Sequence, residues 1–138
     1  MRTPEQPDPL WSYGLAIPHA PHAVGVVRAT IRGILRAARL TCITDTVELL
    51  ASELATNAYR HSVAEAYVCI DRVLNDVRVT VWDHGPGTPA PAEAPPDAVS
   101  GRGLGIVQAC ADDWGVRSYP HGKAVWFTVT AKPEGDQA

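Results

Sequence analysis

The chain has 138 residues, of which 46% are apolar and 20% are charged, a composition typical of one soluble globular domain. Its net charge of −3 gives no basic surface of the kind that binds nucleic acid. No apolar run approaches the roughly 20 residues needed to span a membrane, and the first residues contain no apolar signal core. We therefore expect a cytoplasmic protein that contacts neither nucleic acid nor membrane directly.

Three scattered cysteines, Cys42, Cys69 and Cys110, lie in apolar segments. Their spacing lacks the pairs that typify a zinc site or a redox dithiol. We expect three buried free thiols in a reducing compartment.

The first half of the chain predicts a flexible tail, a short strand and two helices. Residues 1–12 are polar and rich in proline, which favours a flexible tail. Residues 13–18, "YGLAIP", predict a short strand that ends at a proline. Apolar residues at helical spacing predict one helix over 22–40 and a second over 44–62. Each helix has one apolar stripe and therefore covers part of a core.

The second half predicts four strands and a short helix. Residues 66–85 predict a β-hairpin around an Asn-Asp turn, and 86–101 form a proline-rich loop without periodicity. Residues 101–114 predict a glycine-rich turn followed by a short helix, and 115–131 predict two more strands. The expected fold is a two-layer α/β sandwich in which helices cover one face of a mixed or antiparallel sheet.

A second, polar face of the second helix carries Glu53, Asn57 and His61 at four-residue steps. An amide oxygen such as that of Asn57 is a ligand that suits Mg²⁺. Glu53, one turn earlier, could orient or deprotonate a hydroxyl group or water. By themselves these residues could also be a surface carboxylate and a helix-end amide.

Three glycine-bearing segments follow this helix: "DHGPG" at 83–87, "GRGLG" at 101–105 and "HGK" at 121–123. Any one of them could simply form a turn. Together they would let backbone N–H groups approach an anion, and a helix N-terminus favours phosphate. Asp83 could accept a hydrogen bond from the amine of a base, or could cap the turn after its strand. Neither the P-loop nor the protein-kinase signatures are present.

The motifs "ELATNAYRH", "DHGPG" and "GRGLGIVQACADDWGV", in this order and spacing, resemble the N, G1 and G2 boxes of the GHKL ATPases. The length and the later "GKAVWF" look most like the single-domain anti-sigma-factor serine/threonine kinases of that superfamily. The resemblance covers residues 13–131, and it implies a Bergerat-type ATP site with an ATP lid at 88–100. Residues 132–138 would form a second flexible tail.

The resemblance also implies a role for individual residues. Asn57 matches the Mg²⁺-binding asparagine, Glu53 the general base, and Asp83 the aspartate that reads adenine. The other implied nucleotide-binding positions are His61, Gly85, Gly87, Gly101, Arg102, Gly103, Leu104 and Gly105.

The chain departs from the family pattern at two positions. Ala124 stands where the family commonly has a threonine that helps to hold the adenine end, which could weaken binding. Ser62 stands where a glycine often ends the helix. We expect the neighbouring Lys123 to face solvent.

The implied function is a Mg–ATP-dependent kinase that phosphorylates a small antagonist protein and sequesters a sigma factor. The resemblance also implies a homodimer. One alternative is a regulatory module that binds ATP and protein partners without phosphoryl transfer. Another is a partner-binding protein with an empty, vestigial pocket.

Overall fold

The computed structural model of the protein describes residues 8–84 and 99–131, with side chains described from residue 105 onward in the second range. The elements in chain order are β1 Trp11–Ile17, α1 Ala23–Ala37, a 3₁₀ turn at Thr41–Ile43, α2 Thr44–His61, β2 Ala66–Val73, β3 Asp76–Asp83, α3 Val99–Cys110, β4 Asp113–Tyr119 and β5 Gly122–Thr130.

The five strands form one antiparallel sheet in the order β1-β2-β3-β5-β4. On the central strand β3, Val77, Val79 and Val81 are almost fully buried on one face. The side chains between them project to the other face because successive strand residues alternate. The helices α1, α2 and α3 belong to the same layer, in which α2 packs against both of the others. The predicted two-layer α/β fold is confirmed, and the sheet is antiparallel throughout the described residues.

The core is built from the apolar stripes of α1 and α2. On α1 the buried residues Val27, Ile31 and Leu35 recur every four residues, which places them in line on one helix face. The helix ends where Arg39 adopts a left-handed conformation, with φ of 62°. The amide of Leu40 then donates to the carbonyl of Leu35 at 2.9 Å, as in a Schellman motif. Both leucines are fully buried, so this helix end packs into the core.

Ion pairs between side chains connect α1 to α2. Arg32 donates to Glu48 at 2.8 Å and to Asp45 at 2.9 Å, and Arg28 lies 3.6 Å from the same glutamate. The hydrogen bonds to Asp45 and Glu48 raise the pKa of Arg32. Because Asp45 is exposed and Arg32 is half-exposed, solvent screens this network, and its contribution to stability is small.

Two strand and helix boundaries differ from the sequence predictions. Strand β1 begins at Trp11, inside the predicted tail 1–12, because Trp11 packs against the core and Leu10 donates to the carbonyl of Arg72. Helix α3 begins at Val99, so Gly101 and Gly103 lie inside the helix instead of in a turn before it. Glycine weakens a helix by only about 1 kcal/mol, which tertiary packing can offset.

The cysteines are less buried than predicted. Cys42 and Cys110 are exposed, and Cys69 is half-buried on β2. Burial raises the pKa of the Cys69 thiol. Cys69 projects to the face of the sheet opposite the helices because its neighbours Val68 and Ile70 face the core.

Within the described ranges, no helix combines the length and apolar character required to cross a membrane.

Gly122 provides a test of the packing between β3 and β5. A Cβ atom at this position would overlap the carbonyl oxygen of Asp83. Because that neighbour is backbone, it cannot move aside as a flexible side chain would, and we expect Gly122→Ala to lower the free energy of unfolding by about 1–3 kcal/mol. The matched control is Gly33→Ala on α1, where a Cβ meets nothing within 4 Å.

We expect Gly33→Ala to raise stability by about 0.5–1 kcal/mol through helix propensity. Urea denaturation of both variants measures these changes. An unfolding free energy for Gly122→Ala equal to that of the wild type would contradict the close approach of the two strands.

Candidate functional site

The topology brings four chain segments to one end of the sandwich. Strand β2 starts five residues after α2 ends, and Tyr67 near its start pairs with Trp82 near the end of β3. The end of β3 in turn pairs with the start of β5, where Asp83 is opposite Lys123. Helix α3 starts at this end as well, because it finishes near Asp113, which pairs with the far end of β5. The predicted motif residues on α2, β3 and α3 are therefore neighbours in the fold.

Asn57 is a buried polar residue whose amide nitrogen lacks a partner among the described residues. It is 4% exposed, and nothing in the described ranges accepts a hydrogen bond from its Nδ2 atom. Leaving a buried donor unpaired costs about 1–3 kcal/mol, so a native protein has a reason to keep such a group. The amide nitrogen and oxygen exchange places on rotation, so this position can offer a donor to a phosphate oxygen or an acceptor to a cation.

Glu53 and His61 lie one turn before and one turn after Asn57 on α2. Glu53 is half-buried, and its carboxylate makes no ion pair with any residue in the described ranges. His61 is exposed at the last residue of the helix. This arrangement gives a carboxylate with some solvent access beside a buried amide.

Asp83 and Lys123 form a buried ion pair. The Nζ atom of Lys123 donates to Oδ1 of Asp83 at 2.9 Å, and each side chain is only 2% exposed. The prediction that Lys123 faces solvent is wrong. Side chains alternate along β5, so Lys123 shares the helix-covered face with Val125 and Phe127, directly across from Asp83.

Ala124 does not adjoin Asp83. It is opposite Trp82 and Arg117 in the ladders, on the face of the sheet away from the helices. The side chain of β5 that meets Asp83 is therefore that of Lys123, and the expected weakening of the adenine end by Ala124 has no basis in this geometry.

Ser62 is the other departure from the family pattern, and its backbone conformation is unstrained. It ends α2 in an extended conformation, with φ of −140°, where a glycine is not required. Its Oγ atom accepts a hydrogen bond from the amide of Ala64 at 3.1 Å.

The second glycine motif lies in the first two turns of α3, where Gly101, Arg102, Gly103, Leu104 and Gly105 follow one another. Backbone N–H groups in the first turn of a helix lack intrahelical acceptors, and they carry the positive end of the helix dipole. Gly105 is exposed, and an added Cβ there would meet nothing within 4 Å. Packing within the described residues therefore does not explain this glycine.

Two predicted parts of the site are not covered by the described ranges. Gly85 and Gly87 lie outside them, as does the predicted lid 88–100 except for its last two residues, which begin α3.

The side chains available at the candidate site limit how a metal ion could be bound. Among the described residues, no group of three or more His, Cys, Asp or Glu side chains could hold a metal ion. Mg²⁺ commonly takes one or two protein oxygens and completes its shell with phosphates and water. The single unpaired amide of Asn57 fits that mode of binding and does not fit an all-protein cage.

A separate cavity of about 450 Å³ lies on the face of the sheet opposite the helices. Trp82, Trp126 and Tyr119 line it together with Arg78 and Arg117. No sequence motif marks this face of the sheet. The alternation of β3 and β5 separates it from Asp83 and Lys123 by the thickness of the sheet.

Substitutions of Asp83 and Lys123 should change the free energy of unfolding in a non-additive way. We expect Asp83→Ala alone to lower the free energy of unfolding by about 3–5 kcal/mol, since it leaves a buried ammonium without a partner. The double variant Asp83→Leu/Lys123→Met removes both charges at similar volume, and we expect its stability to lie within about 1–2 kcal/mol of the wild type.

Chemical denaturation of the wild type, the single variants and the double variant measures the coupling. Additive effects of the two single substitutions would contradict a buried ion pair.

The chain belongs to the histidine kinase-like ATPase domain family, which matches residues 17–129. This match confirms the superfamily that the three motifs resemble. No curated protein matches the chain in sequence.

Solved structures similar to this fold include the RsbU and RsbW domains of Rv1364c from Mycobacterium tuberculosis, with a TM-score of 0.70 and 18% identity over 89% of this chain. The chain spans only 33% of that structure's length. The histidine kinase AdeS of Acinetobacter baumannii is similar with a TM-score of 0.50 and 16% identity, over 88% of this chain and 68% of its own. At these identities the two structures support the fold alone.

Proposed function

We propose that the protein is a Mg–ATP-binding serine/threonine kinase that acts as an anti-sigma regulatory factor. The observation that carries this proposal is the unpaired, buried amide of Asn57 with the carboxylate of Glu53 one turn before it. The family supplies the ATPase fold around them. An ATP-binding site explains why a core-facing helix retains a polar group that nothing in the described protein satisfies.

The proposed site residues form two groups, one at the phosphates of the nucleotide and one at its base. Asn57 would hold Mg²⁺, whose role is to neutralise charge on the phosphates during transfer. The first turn of α3, which includes Gly101, would donate backbone N–H groups to the phosphates, and Gly103 and Gly105 would let the phosphates approach without a side chain in the way. Asp83, at the end of β3, would accept a hydrogen bond from the base. His61, Gly85, Gly87, Arg102 and Leu104 complete the proposed contacts.

Glu53 would act on the acceptor. Its carboxylate is half-buried and makes no ion pair within the described residues, so a hydroxyl group of a bound protein could donate to it. Phosphoryl transfer requires mainly positioning and charge stabilisation from a protein, and one carboxylate that receives the acceptor proton suffices.

The proposed partners are a small antagonist protein, which accepts the phosphate, and a sigma factor, which the kinase sequesters. Support comes from the similarity in fold to a structure that contains RsbU and RsbW domains. The resemblance to the anti-sigma-factor kinases motivates the proposed homodimer, and a cytoplasmic location would give the kinase access to these partners.

A regulatory module that binds ATP without transferring phosphate is the second candidate. The ion pair between Lys123 and Asp83 would weaken base binding in either candidate, because a carboxylate that already has a cationic partner gains less from the base. Phosphoryl transfer distinguishes the two candidates.

The test compares wild type, Asn57→Ala and Glu53→Gln. Calorimetry with ATP and ADP, with and without Mg²⁺, should show Mg²⁺-dependent binding that Asn57→Ala abolishes. Because Asn57 has an unpaired buried amide and a poor helix propensity, the same variant should be about 1 kcal/mol more stable than the wild type. Lost binding together with retained or higher stability marks a ligand contact, whereas a structural role would lower both.

Glu53→Gln should retain nucleotide affinity and reduce phosphate transfer about 100-fold or more. The measurement is transfer of labelled γ-phosphate from ATP to serine or threonine of proteins in a cell extract. Wild-type binding without such transfer would favour the non-catalytic module. No binding by the wild type at millimolar nucleotide would contradict both candidates and favour a vestigial pocket.

A further inference from the structure

Lys123 forms an ion pair with the carboxylate of Asp83, which lies at the base end of the proposed site. The ammonium group lies 2.9 Å from Oδ1 of Asp83, and neither side chain has appreciable contact with solvent. The pair is fixed by the β3–β5 ladder, in which the two residues are direct partners.

The ammonium and the amine of a base are both donors to the carboxylate of Asp83, whose Oδ1 already accepts from Lys123. An ammonium donates with a full positive charge, whereas the 6-amino group of a purine is a neutral donor, and charge-assisted hydrogen bonds are the stronger kind. Lys123 is held at this position by its burial, because an ammonium that left the carboxylate would remain in a dry environment without a partner. A purine amine therefore adds little to an acceptor that is already engaged.

We propose that Lys123 determines base specificity by serving as an internal substitute for the 6-amino group of adenine. The wild-type site then recognises a purine nucleotide largely through its phosphates and ring, with weak discrimination at the 6-position. This inference rests on the proposed nucleotide site and adds to it the residue that sets its selectivity.

The test uses two ligands that differ only at the 6-position, ATP and purine riboside triphosphate, which lacks the amino group. The protein variant is Lys123→Met, which preserves much of the side-chain volume and removes the charge. The control is Arg36→Met, which removes the same charge from an exposed position on the last turn of α1.

For the wild type and Arg36→Met, we expect the affinities for the two ligands to agree within about threefold, as for an engaged acceptor. For Lys123→Met, we expect ATP to bind about tenfold or more tightly than purine riboside triphosphate, the effect of one charge-assisted hydrogen bond. Calorimetry in the presence of Mg²⁺ measures both ratios.

An unchanged ratio in Lys123→Met would overturn the inference and leave the proposed function intact. A wild-type preference for ATP of tenfold or more would do the same, and it decides the matter even if Lys123→Met does not fold. If neither ligand binds the wild type or the variant, the proposed function fails and the inference fails with it.

Discussion

The antiparallel pairing of β3 with β5 is the constraint on which the site depends. Its register sets Asp83 directly across from Lys123 and places both on the face that the helices cover. A shift of β5 by one residue against β3 would turn Lys123 to the other face and bring Ala124 into the core in its place. The apolar residues Val81, Val125 and Phe127 fix the register by their burial, so the core and the polar pair specify the same arrangement.

Helix α2 contributes to both the core and the site. Val47, Leu50 and Leu54 pack in the core, while Asn57, near the end of the helix, buries an amide nitrogen that has no partner among the described residues. Local energetics favour alanine over asparagine at such a position. A buried residue that lowers stability is characteristic of a functional site. Asn57 is such a residue, and it belongs to a motif of the family that the chain matches.

The sequence predicted the helices, the hairpin and the layered fold well, because apolar periodicity of 3.6 and 2 residues is strong in α1, α2 and β3. It could not predict the partner of Lys123. A glycine-lysine turn before a strand suggests an exposed cation, and only the register of β5 against β3 reveals the burial. The start of α3 was also missed, since glycines at 101 and 103 favour a turn locally and their helical state depends on packing against α2.

The most direct measurement of the central claim is amide and indole NMR of the labelled protein during titration with Mg–ADP. We expect saturable shifts of the Asn57 side-chain amide and of backbone amides near Asp83, Lys123 and the start of α3. The indole signals of Trp82 and Trp126, on the opposite face of the sheet, should remain in place. Shifts of those indoles without a shift of the Asn57 amide would contradict the account and would move the ligand to the other face.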